Sequence, residues 1–191
     1  MTRLLPISAL LALLVAGSAL IATRALARDI VNTDLRYSVA IPDTCSVEQT
    51  TGTIEAVCAT APSAAGKPAS QKAASFFLEL DAEIVPPDAR PYGDAEFRAD
   101  IPDAVCGAGE PADVRIDNVA ETPVGSARVF TASVVCPAIP FLGLEQRRAA
   151  VRYVIAQKMR YRLMYRAPVS MYDTHAATGR AFLASFKTTA E

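Results

Sequence analysis

Gln146-Arg147-Arg148-Ala149-Ala150-Val151-Arg152-Tyr153-Val154-Ile155-Ala156-Gln157, then Lys158, then Met159-Arg160-Tyr161-Arg162-Leu163-Met164-Tyr165-Arg166-Ala167, is the stretch from which the fold is read. Odd positions carry Ala149, Val151, Tyr153, Ile155, Met159, Tyr161, Leu163 and Tyr165; even positions carry Arg148, Arg152, Arg160, Arg162 and Arg166. Alternate residues of a strand point to opposite faces, so period two over both arms predicts a long β-hairpin. On that reading Arg148 faces Arg166 and Arg152 faces Arg162, on the solvated side of an apolar sheet face. Like charges set directly opposite one another repel. A row of guanidinium groups suits carboxylate or phosphate partners. The five arginines 148, 152, 160, 162 and 166 are therefore the candidate anion- or partner-binding face. The plainer reading is a solvated edge hairpin whose arginines pair with acids elsewhere in the fold. Acids are concentrated elsewhere: residues 79–121 hold 12 acids and 3 bases, whereas 145–166 hold 7 bases and 1 acid.

Working outward, Ser170 to Phe186 carries Met171, Gly179, Phe182, Leu183 and Phe186 at helical spacing and predicts an amphipathic helix. Upstream, Ala112–Val119 and Ala127–Val135 read as strands turned by Pro123-Val124-Gly125, and Asp94–Asp100 as a short helix capped by Asp94. Ser75–Val85 reads as a strand stopped by Pro86-Pro87. Leu35–Ile41 and Thr53–Cys58 read as a hairpin. Residues 60–72, rich in Ala, Ser, Pro, Gly and Lys, read as a surface loop.

The chain begins Met1-Thr2-Arg3, continues in an uncharged apolar run from Leu4 to Ala22, and then reads Ala25-Leu26-Ala27. Small residues at 25 and 27 form a signal-peptidase site before Arg28, so residues 1–27 are expected to be a secretory signal peptide and 28–191 one domain. An uncleaved anchor is the competing reading; Pro6, Ser8, Gly17 and Ser18 weaken the run as a spanning helix. Stable membrane insertion after cleavage is not expected. Arginine outnumbers lysine 15 to 4, as in high-GC bacterial genes, so the destination is the periplasm or the outside. Loss of Arg3 and Arg24 from the 19 basic residues leaves 17 against 20 acidic ones, which argues against a nucleic-acid binder.

In an oxidising compartment the four cysteines, 45, 58, 106 and 136, favour two disulfides. Of three possible pairings, Cys45–Cys58 and Cys106–Cys136 close the shortest loops. No two cysteines stand at zinc-ligand spacing and His175 is the one histidine, so no metal site and no cofactor are expected. A P-loop, a dinucleotide fingerprint and a G-x-S-x-G elbow are all missing. His175 beside Asp173 reads as a helix-surface residue; the pairs Asp94/Glu96 and Asp100/Asp103 read as solvated acids rather than an acid–base couple.

The order of elements, with Tyr37 before Ile41-Pro42, the hairpin Arg152-Tyr153 through Tyr161-Arg162-Leu163-Met164-Tyr165, and the ending Phe182-Leu183-Ala184-Ser185-Phe186-Lys187, resembles the PsbP/Mog1-like family over residues 34–188. Asp43-Thr44-Cys45 stands where that family has an aromatic, and the disulfides are additions. The resemblance implies an α+β fold, a single antiparallel β-sheet with helices packed on it, and a non-enzymatic binding or accessory role. It offers no active site to carry over. The expected partner is another envelope protein or an anionic ligand. An envelope hydrolase of unrecognised type and a structural envelope protein are the alternatives; a cleft of converging polar groups with shifted pKa values would favour the hydrolase.

Overall fold

The structure, a computed structural model, describes residues 27–59, 75–107, 113–140 and 143–189. The segment up to residue 26, expected to be most of a signal peptide, and the loop reading at 60–72 lie outside the described residues. The strands are β1 (Ala27–Asn32), β2 (Tyr37–Pro42), β3 (Cys45–Gln49), β4 (Thr53–Ala59), β5 (Ser75–Ile84), β6 (Arg115–Val124), β7 (Ala127–Cys136), β8 (Arg147–Ala156), β9 (Met159–Pro168) and β10 (Lys187–Thr188). Helix α1 (Asp94–Ile101) runs into a π-helical turn, Pro102–Cys106, and helix α2 spans Val169–Ser185.

These strands form two sheets rather than the single sheet expected. One is β1-β2-β10; the other is β3-β4-β5-β9-β8-β7-β6. Both are antiparallel in their pairings. The strand around Tyr37–Ile41 does not pair with Thr53–Cys58. It turns at Asp43-Thr44 and leaves β4 to pair with β3, a strand too short and too polar to be seen by alternation. The register sets Cys45 directly against Cys58, and the disulfides are Cys45–Cys58 and Cys106–Cys136, as the short loops suggested. In the chain-entropy account each is worth about 3 kcal/mol.

The hairpin also departs from the expected register. Gln157 and Lys158 both take positive φ, 51° and 64°, and make a two-residue turn that sets Ala156 against Met159. Across such a turn, an even position of one arm shares a face with an odd position of the other. Arg148 therefore faces Ala167, Arg152 faces Leu163, and Arg162 faces Tyr153. The arginines are divided between two faces, and β8 and β9 are central strands, with neither at an edge.

Both faces are consequently covered in part. On one, Leu78 and Leu80 of β5, Tyr161, Leu163 and Tyr165 of β9, and Ile54 of β4 pack beneath α2 and β2. Helix α2 presents Tyr172, Ala176, Gly179 and Phe182, spaced four, three and three, as its buried stripe. On the other, Phe97 and Ile101 of α1 cover Phe130, Val134, Val151 and Tyr153 of β7 and β8. Gly93, not Asp94, caps α1: Glu96 turns back to accept the Gly93 N–H at 2.9 Å. Each helical element covers only half of its face. The uncovered halves lie diagonally opposite, and both candidate surfaces lie there.

Candidate functional site

The half-face beyond α1 is built by β4, β5 and β9. Strand β5 directs Phe77, Glu79, Asp81 and Glu83 to this side, and β9 directs Arg160, Arg162, Met164 and Arg166. Acids and arginines stand in adjacent rows. Arg160 Nε meets Glu83 at 2.5 Å, and its Nη1 meets Asp100 of α1 at 3.0 Å. Arg162 pairs with Asp81, which also accepts the Thr53 hydroxyl at 2.9 Å. Arg166 pairs with Glu79 at 2.5 Å and donates to the Val105 carbonyl at 3.2 Å.

Burial sets the electrostatics here. It raises the Glu79 carboxyl above its ordinary value, although Arg166 pulls the other way. It lowers Arg162, against the attraction of Glu79, and lowers Arg147, which Arg166 depresses further. For Arg160 burial is outweighed by the hydrogen bond and charge of Glu83, and the guanidinium is held more firmly charged. Arg160, Arg162 and Arg166 thus arrive with carboxylates of their own. An anionic ligand at Arg160, Arg162 or Arg166 would have to displace them.

A cleft of about 680 Å³ opens between these rows and α1 with its π-helical turn, and Asp100, Asp103 and Tyr153 lie on its wall. Its tyrosine neighbours are poorly suited to proton abstraction. Burial, then hydrogen bonding to Asp100, raises Tyr92, and burial, then the charge of Asp100, raises Tyr153. Both shifts run away from the range of a general base at neutral pH.

The half-face beyond α2 differs. There β8 presents Arg148 and Arg152. Arg148 lies over the Tyr172 ring at 4.5 Å, with the exposed Asp173 carboxylate 3.8 Å away. Arg152 donates to the Leu183 carbonyl at 2.6 Å and so closes the last turn of α2, where the helix dipole favours a cation. Burial lowers its pKa. Beside it runs an open groove of about 540 Å³ between α2 and β7, reaching the edge strand β6. Val129, Ala150 and Leu183 make its apolar floor; Thr122, Thr131 and Ser133 supply hydroxyls; Arg152 and Arg180 are its charges, and no carboxylate among the described residues lines it. Arg180 makes no ion pair with a described residue.

His175 stacks on Phe76, ring centroids 4.5 Å apart, a packing role. Among the described residues no three His, Cys, Asp or Glu side chains converge as a metal site, and no helix is long and apolar enough to cross a membrane. Sequence reasoning missed Arg180 and Tyr153, which look like any helix-surface arginine and any core tyrosine. It also missed the acid row of β5, whose spacing 79, 81, 83 opposite 160, 162, 166 was a usable signal.

No family model and no curated protein matches the chain. Solved structures do. Cyanobacterial PsbP (CyanoP) from Synechocystis sp. PCC 6803 matches with a TM-score of 0.53 at 12% identity, over 91% of this chain and 98% of that one. The Ran-binding protein Mog1p of Saccharomyces cerevisiae matches with 0.54 at 9% identity, over 86% and 96%. LpqN, involved in cell envelope biogenesis of Mycobacterium tuberculosis, matches with 0.52 at 10% identity, over 86% and 91%. At such identities the likeness is one of fold.

Proposed function

We propose that this chain, whose fold is PsbP/Mog1-like, is an exported accessory protein that holds an acidic segment of another envelope protein in the groove between α2 and β7. The observation that carries the reading is charge matching. Arg160, Arg162 and Arg166 are each matched by a carboxylate, whereas Arg152 and Arg180 line a partly apolar groove with none among the described residues. An extended segment alternating apolar and acidic residues fits a groove with an apolar floor and a cationic rim. The named role of LpqN in the envelope supports the compartment, although fold by itself does not assign function.

Export is supported by the two disulfides. Cleavage before Arg28 also spares the β1–β2 ladder from Arg28↔Ile41 to Asn32↔Tyr37. Mass spectrometry of the exported form should find Arg28 as its first residue; a species still starting at Met1 would refute processing.

Binding is tested with a short peptide alternating valine and glutamate. Its affinity should fall as salt rises, because exposed charges are screened beyond about 8 Å at physiological ionic strength. Arg180→Gln should weaken it several-fold while changing stability by no more than about 0.5 kcal/mol, as for other surface substitutions. Equal affinity for wild type and R180Q, insensitive to salt, would remove the groove from the account.

A further inference from the structure

We propose that the cleft between β5, β9 and α1 is a second binding site, which takes a guanidinium or ammonium side chain from a partner protein. Its charge is the first reason. The lining holds four carboxylates, Asp81, Glu83, Asp100 and Asp103, against two guanidiniums, Arg160 and Arg162. Three of the four are engaged by those arginines. Asp103 is exposed and has neither an ion pair nor a side-chain hydrogen bond with any described residue, and the lining holds two more negative charges than positive ones.

The second reason is independent of the acids. Tyr153 is 2% exposed, its ring fixed edge-on to Phe97 at 5.0 Å and stacked with Tyr92 at 6.1 Å. Tyr153 lines the cleft, and its hydroxyl has no hydrogen-bond partner among the described residues. Neighbouring Tyr92 shows the contrast, since its hydroxyl donates to Asp100 at 2.8 Å. An unpartnered phenol oxygen near Asp100 is an acceptor for an N–H donor entering the cleft, and Asp103 supplies the compensating charge. A metal ion is a poorer occupant, because among the described residues the carboxylates do not converge as ligands and three already hold arginines. The site shares no lining residue with the groove of α2, so either can fail without the other.

The test is a titration of the mature protein with a tetra-arginine peptide, followed by amide NMR shifts, with a tetra-glutamate peptide as the control. The expected result is movement of the Thr53 and Asp103 amides with the basic peptide only. Tyr153→Phe keeps the ring and should weaken binding about tenfold, the scale of one hydrogen bond to a charged group. Asp103→Asn should weaken it a few-fold. Because Asp103 is exposed, this variant keeps the test valid even where Y153F fails to fold. Unchanged affinity in the variants that fold, or shifts confined to the α2 groove, would overturn the proposal. Spermidine titrated in parallel should bind more weakly than the peptide; tighter spermidine binding would overturn the assignment to a protein side chain.

Discussion

Replacing Arg166 by methionine should lower stability by about 4 kcal/mol at pH 7, the scale for removing one partner of a buried ion pair. Methionine retains much of the aliphatic stem, so the loss is mainly of charge and hydrogen bonds. The pair is well enough shielded for the full effect, with side-chain exposures of 21% for Arg166 and 15% for Glu79. Without Arg166, the Glu79 carboxylate is left beside Glu55 in a site that already disfavours its charge, with Arg162 as the remaining attraction. The same change frees the Val105 carbonyl and loosens the π-helical turn that leads to Cys106. The effect depends on pH with a definite sign. Glu79 has a raised folded-state pKa in the wild type, so its contribution is favourable below the unfolded value near 4.5 and is lost as pH rises through the folded one. Removal of Arg166 raises the folded pKa further and enlarges the penalty above it. Urea denaturation should therefore show a large deficit at pH 7 that shrinks as pH falls towards 4.5. A deficit under about 1 kcal/mol at pH 7, or one that grows on acidification, would show that the pair is solvated.

Gly179→Ala, ordinarily a stabilising change within a helix, should here cost about 3 kcal/mol net. The gain in helix propensity is about 1 kcal/mol. Against it, a Cβ at this position would lie 2.2, 2.4 and 2.8 Å from three ring atoms of Tyr165. The ring cannot step aside. Its hydroxyl donates to the Tyr172 carbonyl at 2.6 Å, and it packs against Phe76 and Tyr172 with centroids 5.9 and 4.9 Å away. Overpacking against a fixed core side chain is expected here above its usual range, at about 4 kcal/mol. Helix α2 must lift from β9 to accept the methyl. Combining G179A with Tyr165→Leu should cost less than the sum of the two single changes, because the smaller side chain relieves the clash. Strict additivity in a denaturation series would mean that the helix does not sit on Tyr165.

That contact also shows what the sequence could and could not convey. Gly179 was legible as part of an apolar stripe, because a helix face requires small and large residues at spacings of three and four. Its role as a notch for one aromatic ring depends on how α2 crosses β9, which no local pattern encodes. The hairpin behaves the same way. Alternation along residues 147–166 identified both strands, but which arginines share a face is decided by the length of the turn. Gln157 and Lys158 lack the Asn-Gly or Asp-Gly signature of a two-residue turn. One residue of register moved Arg162 from opposite Arg152 to opposite Tyr153, and turned a supposed basic face into two surfaces of different charge. The cysteine pairing was legible because short loops dominate closure entropy. The second sheet was not: β1 is mostly exposed and β10 has two residues, and neither offers a periodic signal.

Both proposed sites depend on that division of the arginines, and cross-strand proton contacts between β8 and β9 test it most directly. Backbone NOEs should join Arg152 to Leu163 and Tyr153 to Arg162, with Arg148 opposite Ala167, which sends Arg152 to the groove under α2 and Arg162 to the acid row of β5. NOEs joining Arg152 directly to Arg162 and Arg148 to Arg166 would place all of them on one face and contradict both proposed sites.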